Sequence, residues 1–525
     1  MKTLIKISLF SACIWWFASC SDFLDEDPRG QQMQETFYQT DAEAFGGLMG
    51  IYALATNSQA TAGMRENFIV RSEPCSDLLT YKPVASAEAV AFPKYTLHSE
   101  ITPLVIAWEH AYSVIYTTNS YIHALTENTS PDIPADKKEQ YIKEAKFFRS
   151  LMYYHLVMRW GDVPLRMKPT HMKETDIARS PAEEVWKHVI MDLEAAATLP
   201  DKNNTPAGRI TKGAVLTLLA KVHLMKGDFP SAATVLDQIT GYSLMPEIGD
   251  VWNTEKKFNE ESIWEVNIER GTLPRQGLGM LSFYLPMHDA FKGANATFPV
   301  NDYLMQMTEE DSPRTKLFYS RKPLLEEISA DYKGEYRYTD SQGEEQVIIF
   351  TNATEPLYPH IMKFTDFTTV GHEFEVGDCP FNQLIFRYAD VVLMKAEVEC
   401  ELNGATPVAL NYLNQIRSRA GETLYTLTGE DGLRPLNSKE DLQEAIRNER
   451  ALELVGEGHR FYDLKRWGTE YALRKLKESR QAHIAGTTFC YNPEDLVNIE
   501  AYRLLWPIPK DELNGNALMV QNPGY

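Results

Sequence analysis

The sequence predicts a mainly α-helical protein, a scaffold of tetratricopeptide-like helical hairpins that carries a smaller irregular subdomain with a few short β-strands. Three observations lead there. Apolar residues recur at three- and four-residue intervals through most of the 525 residues, two helix pairs share one arrangement of turn and packing residues, and the periodicity fades between about 270 and 380.

Residues 101–126, 136–160, 181–199, 210–226, 231–239, 383–403, 405–420 and 438–456 carry the helical spacing and close on Gly or Pro. In "LLAKVHLMKGDFPSAATVL" Ala220 is followed by Gly227, Ala232 and Leu236, and "KAEVECELNGATPVALNYL" places Gly404, Ala409 and Leu413 at the same last two intervals. A tight turn between helices needs Gly, and a close helix crossing needs Ala. Glu397 stands where the first hairpin has Ala220. Ser438 is placed to cap 438–456, with Asp441 three residues on as its capping partner. Strand signals are confined to 262–268 ("SIWEVNI"), 346–350 ("QVIIF") and 360–364 ("HIMKF"). Around them Pro, Gly and aromatic residues recur, so about 270–380 is expected to be an irregular, aromatic-rich insert.

No Pro/Gly/Ser-rich linker divides the chain, which points to one large core or two intimately packed halves. Four regions are expected: a leader (1–19), a short acidic tether (20–30), an N-terminal helical region (31–260) and a C-terminal region (261–525). Lys2 and Lys6 flank the start of an apolar run, Ile7 to Phe17, that has the length of a secretory signal core and is too short to span a bilayer. Phe17-Ala18-Ser19-Cys20 resembles a bacterial lipobox, with Cys20 as the lipid-attachment residue. The acidic "SDFLDEDPRG" after it suits a solvated tether. No later run approaches about 18 consecutive apolar residues, so membrane attachment is expected through the lipid anchor only. With 52 basic and 73 acidic residues the net charge is −21, a field that repels phosphates and excludes nucleic acid as a partner. Cys75, Cys379, Cys400 and Cys490 are widely spaced and are expected as free buried thiols.

The stretch "RNERALELVGEGHRFYDLKRWG" (447–468) packs Arg447, Glu449, Arg450, Glu453, Glu457, Arg460, Asp463 and Arg466 together. Such density suggests catalysis, yet acids and bases in these numbers need only one another. Glu449 falls on the apolar stripe of Leu442, Ala445, Ile446, Leu452 and Val455, where an unpaired carboxylate would be costly. A structural ion-pair network is therefore expected, with the neighbouring arginines gripping the carboxylates and Asp463 and Arg466 completing it. G-x-S-x-G, H-E-x-x-H and Walker motifs are absent, "DSQGEE" (340–345) lacks EF-hand ligand spacing, and His288-Asp289 and His372-Glu373 are adjacent pairs that face different ways. No catalytic residue, metal or cofactor is expected, although the abundance of acids leaves glycoside hydrolysis open.

A neutral glycan is held by flat rings against sugar C–H faces and by polar groups at its hydroxyls. Trp108, Trp160, Trp186, Trp264, Trp467 and Trp506 sit in helical, strand or Pro-flanked apolar patterns that read as core. Rings for a ligand would have to come from Tyr and Phe in loops. Residues 71–100 offer Arg71, Asp77, Tyr81, Phe92 and Tyr95, and residues 276–293 offer Phe283, Tyr284, His288 and Phe291.

The 447–468 stretch resembles the C-terminal signature of the SusD/RagB family, outer-membrane nutrient-binding lipoproteins of the Bacteroidetes. "EAKFFRSLMYYHLVMRWGDVPL" (144–165), "GRITKGAVLTLLAKVHLMKGDF" (208–229), "RYADVVLMKAEVE" (387–399) and "LLWPIPKDELNGNALMVQNPGY" (504–525) agree, so the resemblance runs nearly end to end. It implies a tetratricopeptide-like scaffold and a ligand face built from loops in the two neighbourhoods just named. It also implies a surface-exposed lipoprotein that captures an oligosaccharide or polysaccharide without altering it, as the partner of a TonB-dependent outer-membrane transporter. A surface glycoside hydrolase, or an adaptor whose cargo is peptide or protein, is the alternative expectation.

Overall fold

The computed structural model describes residues 38–56, 70–82, 85–170, 176–269, 281–285, 291–309, 312–314, 334–339, 344–350, 360–364, 374–375, 380–429, 435–486 and 493–525. The leader and tether with Cys20, and also His288, His372, Glu373, Cys379 and Cys490, lie outside them.

The chain is mainly helical. The N-terminal part holds α1 (Asp41–Thr56), α2 (Ala87–Lys94), α3 (Thr102–Glu127), α4 (Ala135–Trp160), α5 (Ala182–Ala196), α6 (Lys212–Met225) and α7 (Phe229–Leu236). From α3 to α7 each helix packs on the next. The middle is short and irregular: β1 (Ser262–Val266), α8 (Leu281–Tyr284), β2 (Phe291–Lys292), α9 (Asp302–Met307), β3 (Gly334–Thr339), β4 (Glu345–Phe350), β5 (Phe374–Glu375) and β6 (Gln383–Arg387). These strands pair as β1–β6 and β3–β4, both antiparallel, and β2–β5, parallel. Helices then resume with α10 (Tyr388–Asn403), α11 (Pro407–Arg419), α12 (Lys439–Leu454), α13 (Arg460–Arg466), α14 (Thr469–Gly486) and α15 (Lys510–Gly515).

Two hairpins carry the shared pattern. The α6–α7 turn contains Gly227 at φ +70° and the α10–α11 turn contains Gly404 at φ +82°, a left-handed backbone that side chains disfavour. Ala220, Ala232, Leu236, Ala409 and Leu413 are all buried in the helix contacts these turns create. Glu397 is tolerated in α10 because Arg466 Nη2 and Trp467 Nε1 donate to its carboxylate at 2.7 and 2.8 Å. Side chains of Thr211, Asp228, Thr406 and Ser438 cap α6, α7, α11 and α12 by accepting from the N–H three residues on. At α12 the Asp441 carboxylate also accepts a hydrogen bond from the Ser438 hydroxyl, at 2.6 Å.

Three local expectations are corrected. Residues 383–387 are strand β6 and not the first turn of a helix, because Phe386 is drawn into the β1 ladder opposite Trp264 and packs its ring there, 6.0 Å between centroids. Residues 360–364 form no strand among the described residues. All five are buried, and the Lys363 ammonium turns inward to the Glu457 carboxylate and the Glu453 carbonyl, which leaves no alternation of faces for a ladder to use. Residues 87–94, expected as loop, form α2 on a Ser86 cap.

The largest apolar cluster joins the two ends of the chain. Trp506 packs edge-on against Trp160 and Phe92 at 5.4 and 5.3 Å, and Trp160 against Trp108 at 5.2 Å. The backbone is tied across the same contact, since Trp506 N donates to the Arg159 carbonyl at 2.7 Å and Trp160 Nε1 to the Pro507 carbonyl at 2.9 Å. Cys75 is a buried free thiol in this cluster, and Cys400 is one in a separate apolar cluster of α10, α11 and α12.

Glu449, Glu453 and Glu457 follow one another at four-residue spacing along α12 and the turn after it, and all three are buried or nearly so. Glu449 accepts from Arg314 and from Arg417 at 2.9 Å; Glu453 from Arg314 at 3.0 Å, Arg387 at 2.7 Å and Arg419; Glu457 from Arg387 at 2.7 Å and from Lys363. The cations therefore arrive from distant segments, and the expectation that neighbouring arginines supply them is corrected. Glu449 and Glu453 share one face of α12, and the cations that meet them there come from other segments. The stretch's own arginines serve other acids: Arg450 bonds Asp463 and Asp390, each at 2.9 Å, Arg460 bonds Asp77 at 2.7 Å, and Arg466 bonds Asp463 at 2.8 Å as well as Glu397. Arg447 pairs with no acid among the described residues. Its guanidinium lies over the Trp467 and Tyr471 rings, 5.0 and 4.5 Å from their centroids.

Burial alone would raise these carboxyl pKa values, but the surrounding cations outweigh it and hold Glu457 and Asp463 down at about 2. Their contribution to stability is complete above the unfolded-state values and is lost as pH falls through the folded ones. The thermal midpoint should therefore drop steeply as pH is lowered from about 4.5 toward 2, and a flat profile there would contradict ionised pairing. Replacing Glu453 with Ala strips one partner from three buried guanidiniums and should cost about 3–5 kcal/mol in urea unfolding.

Candidate ligand-binding face

The fold brings the two predicted loop neighbourhoods together. Leu79 bridges to Val300, Thr80 N donates to the Pro299 carbonyl at 2.9 Å, and Asn301 reaches back with Nδ2 to the Asp77 carbonyl at 2.6 Å. Arg71 lies over the Phe283 ring at 4.8 Å and the Phe92 ring at 5.8 Å, a contact between residues more than 190 positions apart. This stack faces inward. Phe92 is wholly buried, Arg71 nearly so, and Phe283 is half-buried.

The remaining expected ligand contacts are also fastenings. Asp77 receives both Arg460 donors, Nε and Nη2, at 2.7 Å each. Tyr81 is buried with the Lys94 ammonium 5.3 Å from its ring. Tyr95 ends α2 at φ +57° and donates its buried hydroxyl to the Cys75 carbonyl. Tyr284 is wholly buried and stacks on Phe364, 6.3 Å between centroids. The expectation that Arg71, Asp77, Tyr81, Phe92, Tyr95 and Tyr284 present themselves to a ligand is therefore corrected. A loop with no periodic apolar stripe is held down by its largest rings and its charges, and these spend their surfaces on the protein. Phe291 lies in β2, whose backbone pairs with β5, and its side chain and His288 fall outside the described positions.

What sequence reading missed is how 71–77 is tied to the charged C-terminal stretch. The Glu73 carboxylate accepts from the Gly456 and Gly458 amides at 2.9 and 3.0 Å, and Ser72 Oγ accepts from Arg159 Nη2 at 2.6 Å. Arg480 Nη1 donates to the Ser76 carbonyl at 2.9 Å, and its Nη2 to the Pro93 carbonyl at 3.0 Å. "RSEPCSD" is polar enough to mark a loop, but partners nearly 400 residues away leave no local signal. Among the described residues, no group of three or more His, Cys, Asp or Glu is placed to hold a metal ion, and no helix is long and apolar enough to cross a membrane.

A helical-hairpin frame whose C-terminal charges clamp an irregular loop-bearing region defines a class of architecture with known members. Residues 249–525 match the model of the SusD family, and residues 22–224 match one described as starch-binding associating with outer membrane. The chain belongs to the SusD family. A SusD-like protein of Formosa agariphila is 26% identical over 99% of each chain. A solved SusD homolog from Bacteroides thetaiotaomicron superposes with a TM-score of 0.78 at 21% identity, covering 94% of this chain and 98% of that one. A laminarin binding SusD-like protein gives a TM-score of 0.69 at 26% identity, over 93% and 100% of the two chains.

Burial pushes the Glu73 carboxyl up to about 7 in spite of its two backbone donors. A raised acid has the opposite sign to the paired ones, so its contribution to stability fades as pH rises from the unfolded-state value through about 7. Glu73→Gln should remove that gradient from the stability profile between pH 4.5 and 7 while leaving the acid limb in place. Tyr95→Ala should lower unfolding free energy by about 3–5 kcal/mol, as for other large buried rings; parental stability with lost ligand binding would return Tyr95 to the binding face.

Proposed function

We propose that the protein is a lipid-anchored cell-surface protein that binds an oligosaccharide or polysaccharide without altering it and passes it to a TonB-dependent outer-membrane transporter. The observation that carries this reading is the likeness, over 93% of the chain, to a laminarin binding member of the same family. Cys20 behind a lipobox-like sequence and the acidic tether after it support the anchor.

The chemistry of the charged stretch supports binding over hydrolysis. A glycosidase needs one carboxyl that still holds a proton near neutral pH and can reach the glycosidic oxygen. Glu457 and Asp463 are held at about 2 by their cations, so they are ionised and occupied. Glu73, raised to about 7, is partly protonated near neutral pH but is wholly buried and bound by two backbone amides.

Titration calorimetry with laminarin and with soluble starch, run beside an assay for new reducing ends, tests the reading. Saturable binding to at least one polysaccharide with no reducing ends released is expected, together with recovery of an outer-membrane transporter when the full chain is isolated from membranes. Release of reducing ends would make the protein a hydrolase, and capture of peptides with no glycan bound would make it an adaptor. Cys20→Ala should move the protein out of the membrane pellet.

A further inference from the structure

A second surface, built from elements other than the loops above, has the chemistry of a sugar site. A cleft of about 200 Å³ opens between α3, the segment that follows α4, and α15, with Tyr112, Tyr116, Asn119, Arg166, Thr170 and Glu512 around it. Tyr116 is 53% exposed, the most exposed aromatic ring among the described residues.

The wall that carries Arg166 is fixed by buried side chains. Tyr153 Oη accepts from the Arg166 amide at 2.7 Å and donates to the Arg166 carbonyl at 2.9 Å. Asn119 Nδ2 donates to the Arg166 and Lys168 carbonyls at 2.9 and 3.3 Å, and its Oδ1 is held in turn by Arg149 Nη1 at 2.7 Å. Arg149 is locked by two bonds to Asp192, at 2.8 and 3.0 Å. Tyr112 Oη donates to the Pro164 carbonyl at 2.9 Å. Irregular backbone held by this many buried groups keeps one shape, and Arg166 and Thr170 line the cleft from it, Arg166 Nη1 donating to the Thr170 hydroxyl at 3.4 Å. Glu512 is aimed from α15, its two oxygens accepting from Trp108 Nε1 at 3.4 Å and Asn516 Nδ2 at 3.2 Å, which leaves carboxylate lone pairs available.

We infer that this cleft is a saccharide subsite, with the Tyr116 ring against the C–H face of a sugar and Arg166 and Glu512 as donor and acceptor for its hydroxyls. The charge balance selects that class. Glu512 and the net charge of −21 disfavour an anion, Arg166 disfavours a cation, and an apolar ligand would desolvate both groups without replacing their hydrogen bonds. The volume lies below the roughly 300–1,000 Å³ of sites for drug-sized ligands, so the cleft takes a short part of a chain that continues elsewhere. This inference rests on the glycan reading above and adds a second point of contact for the same polymer.

Calorimetry with laminarin and soluble starch on the purified full chain separates the two claims. Tyr116→Ala should raise Kd roughly tenfold for the polysaccharide that the parent binds, with the melting temperature unchanged. Tyr116→Phe, which keeps the ring, should retain parental affinity, and Glu512→Gln should weaken binding without moving the melt. Parental affinity in both Tyr116→Ala and Glu512→Gln overturns the subsite and leaves the glycan reading standing. Absence of binding to either polysaccharide by the parent overturns both.

Discussion

Three carboxylates buried close together repel one another and pack poorly against apolar neighbours, so Glu449 and Glu453 on α12 and Glu457 in the turn after it can be buried only if cations meet them from several directions at once. Arg314, Arg387, Arg417, Arg419 and Lys363 do so from the irregular middle region, the β6 strand and α11. Because these cations come from several separate segments, the acids of α12 and of the turn after it act as a hub on which those segments converge. Geometry matters more here than net energy. A buried ion pair is at best modestly stabilising against an apolar replacement, but removing one partner is severe, so the arrangement penalises any structure in which one segment is missing.

The same logic reaches the loop-bearing side. Arg460 and the Gly456–Gly458 turn lie immediately after the hub and grip Asp77 and Glu73, so the loop at 71–77 is set by the elements that close the C-terminal helices. The rings that follow it, Tyr81, Phe92 and Tyr95, are buried. Rigid helices supply the frame and the loops supply the surface, and the charges decide where frame and loops meet. The segment after α4 is fixed in the same way, by buried Tyr, Asn and Arg side chains.

Much of the frame was legible in the sequence because helices leave a local period. The hairpin turns at Gly227 and Gly404, the Ser438 cap and most of the buried tryptophans follow from spacing over a dozen residues or fewer. The β6 strand was misread because "QLIFR" runs directly into α10 with no Gly or Pro between them, and only its pairing with β1, 120 residues earlier, decides its conformation. The loop residues were misread for a related reason. Composition can tell that Arg71 and Tyr81 are outside the periodic helices, but whether a side chain such as Arg71 or Phe92 faces water depends on partners such as Phe283 and Trp506 that are remote in sequence. That the 447–468 charges are buried was readable from Glu449 on an apolar stripe. The identity of their partners was not, because cations from five remote positions satisfy the same local pattern as guanidiniums from the next turn.

The claim that C-terminal charges fasten the loop is tested most directly by a double-mutant cycle on Asp77 and Arg460, using Ala at each position and urea unfolding as the readout. The account predicts that the two single replacements and the double cost nearly the same, with a coupling of about 2–3 kcal/mol. Additive losses, with no coupling between the two positions, would contradict it.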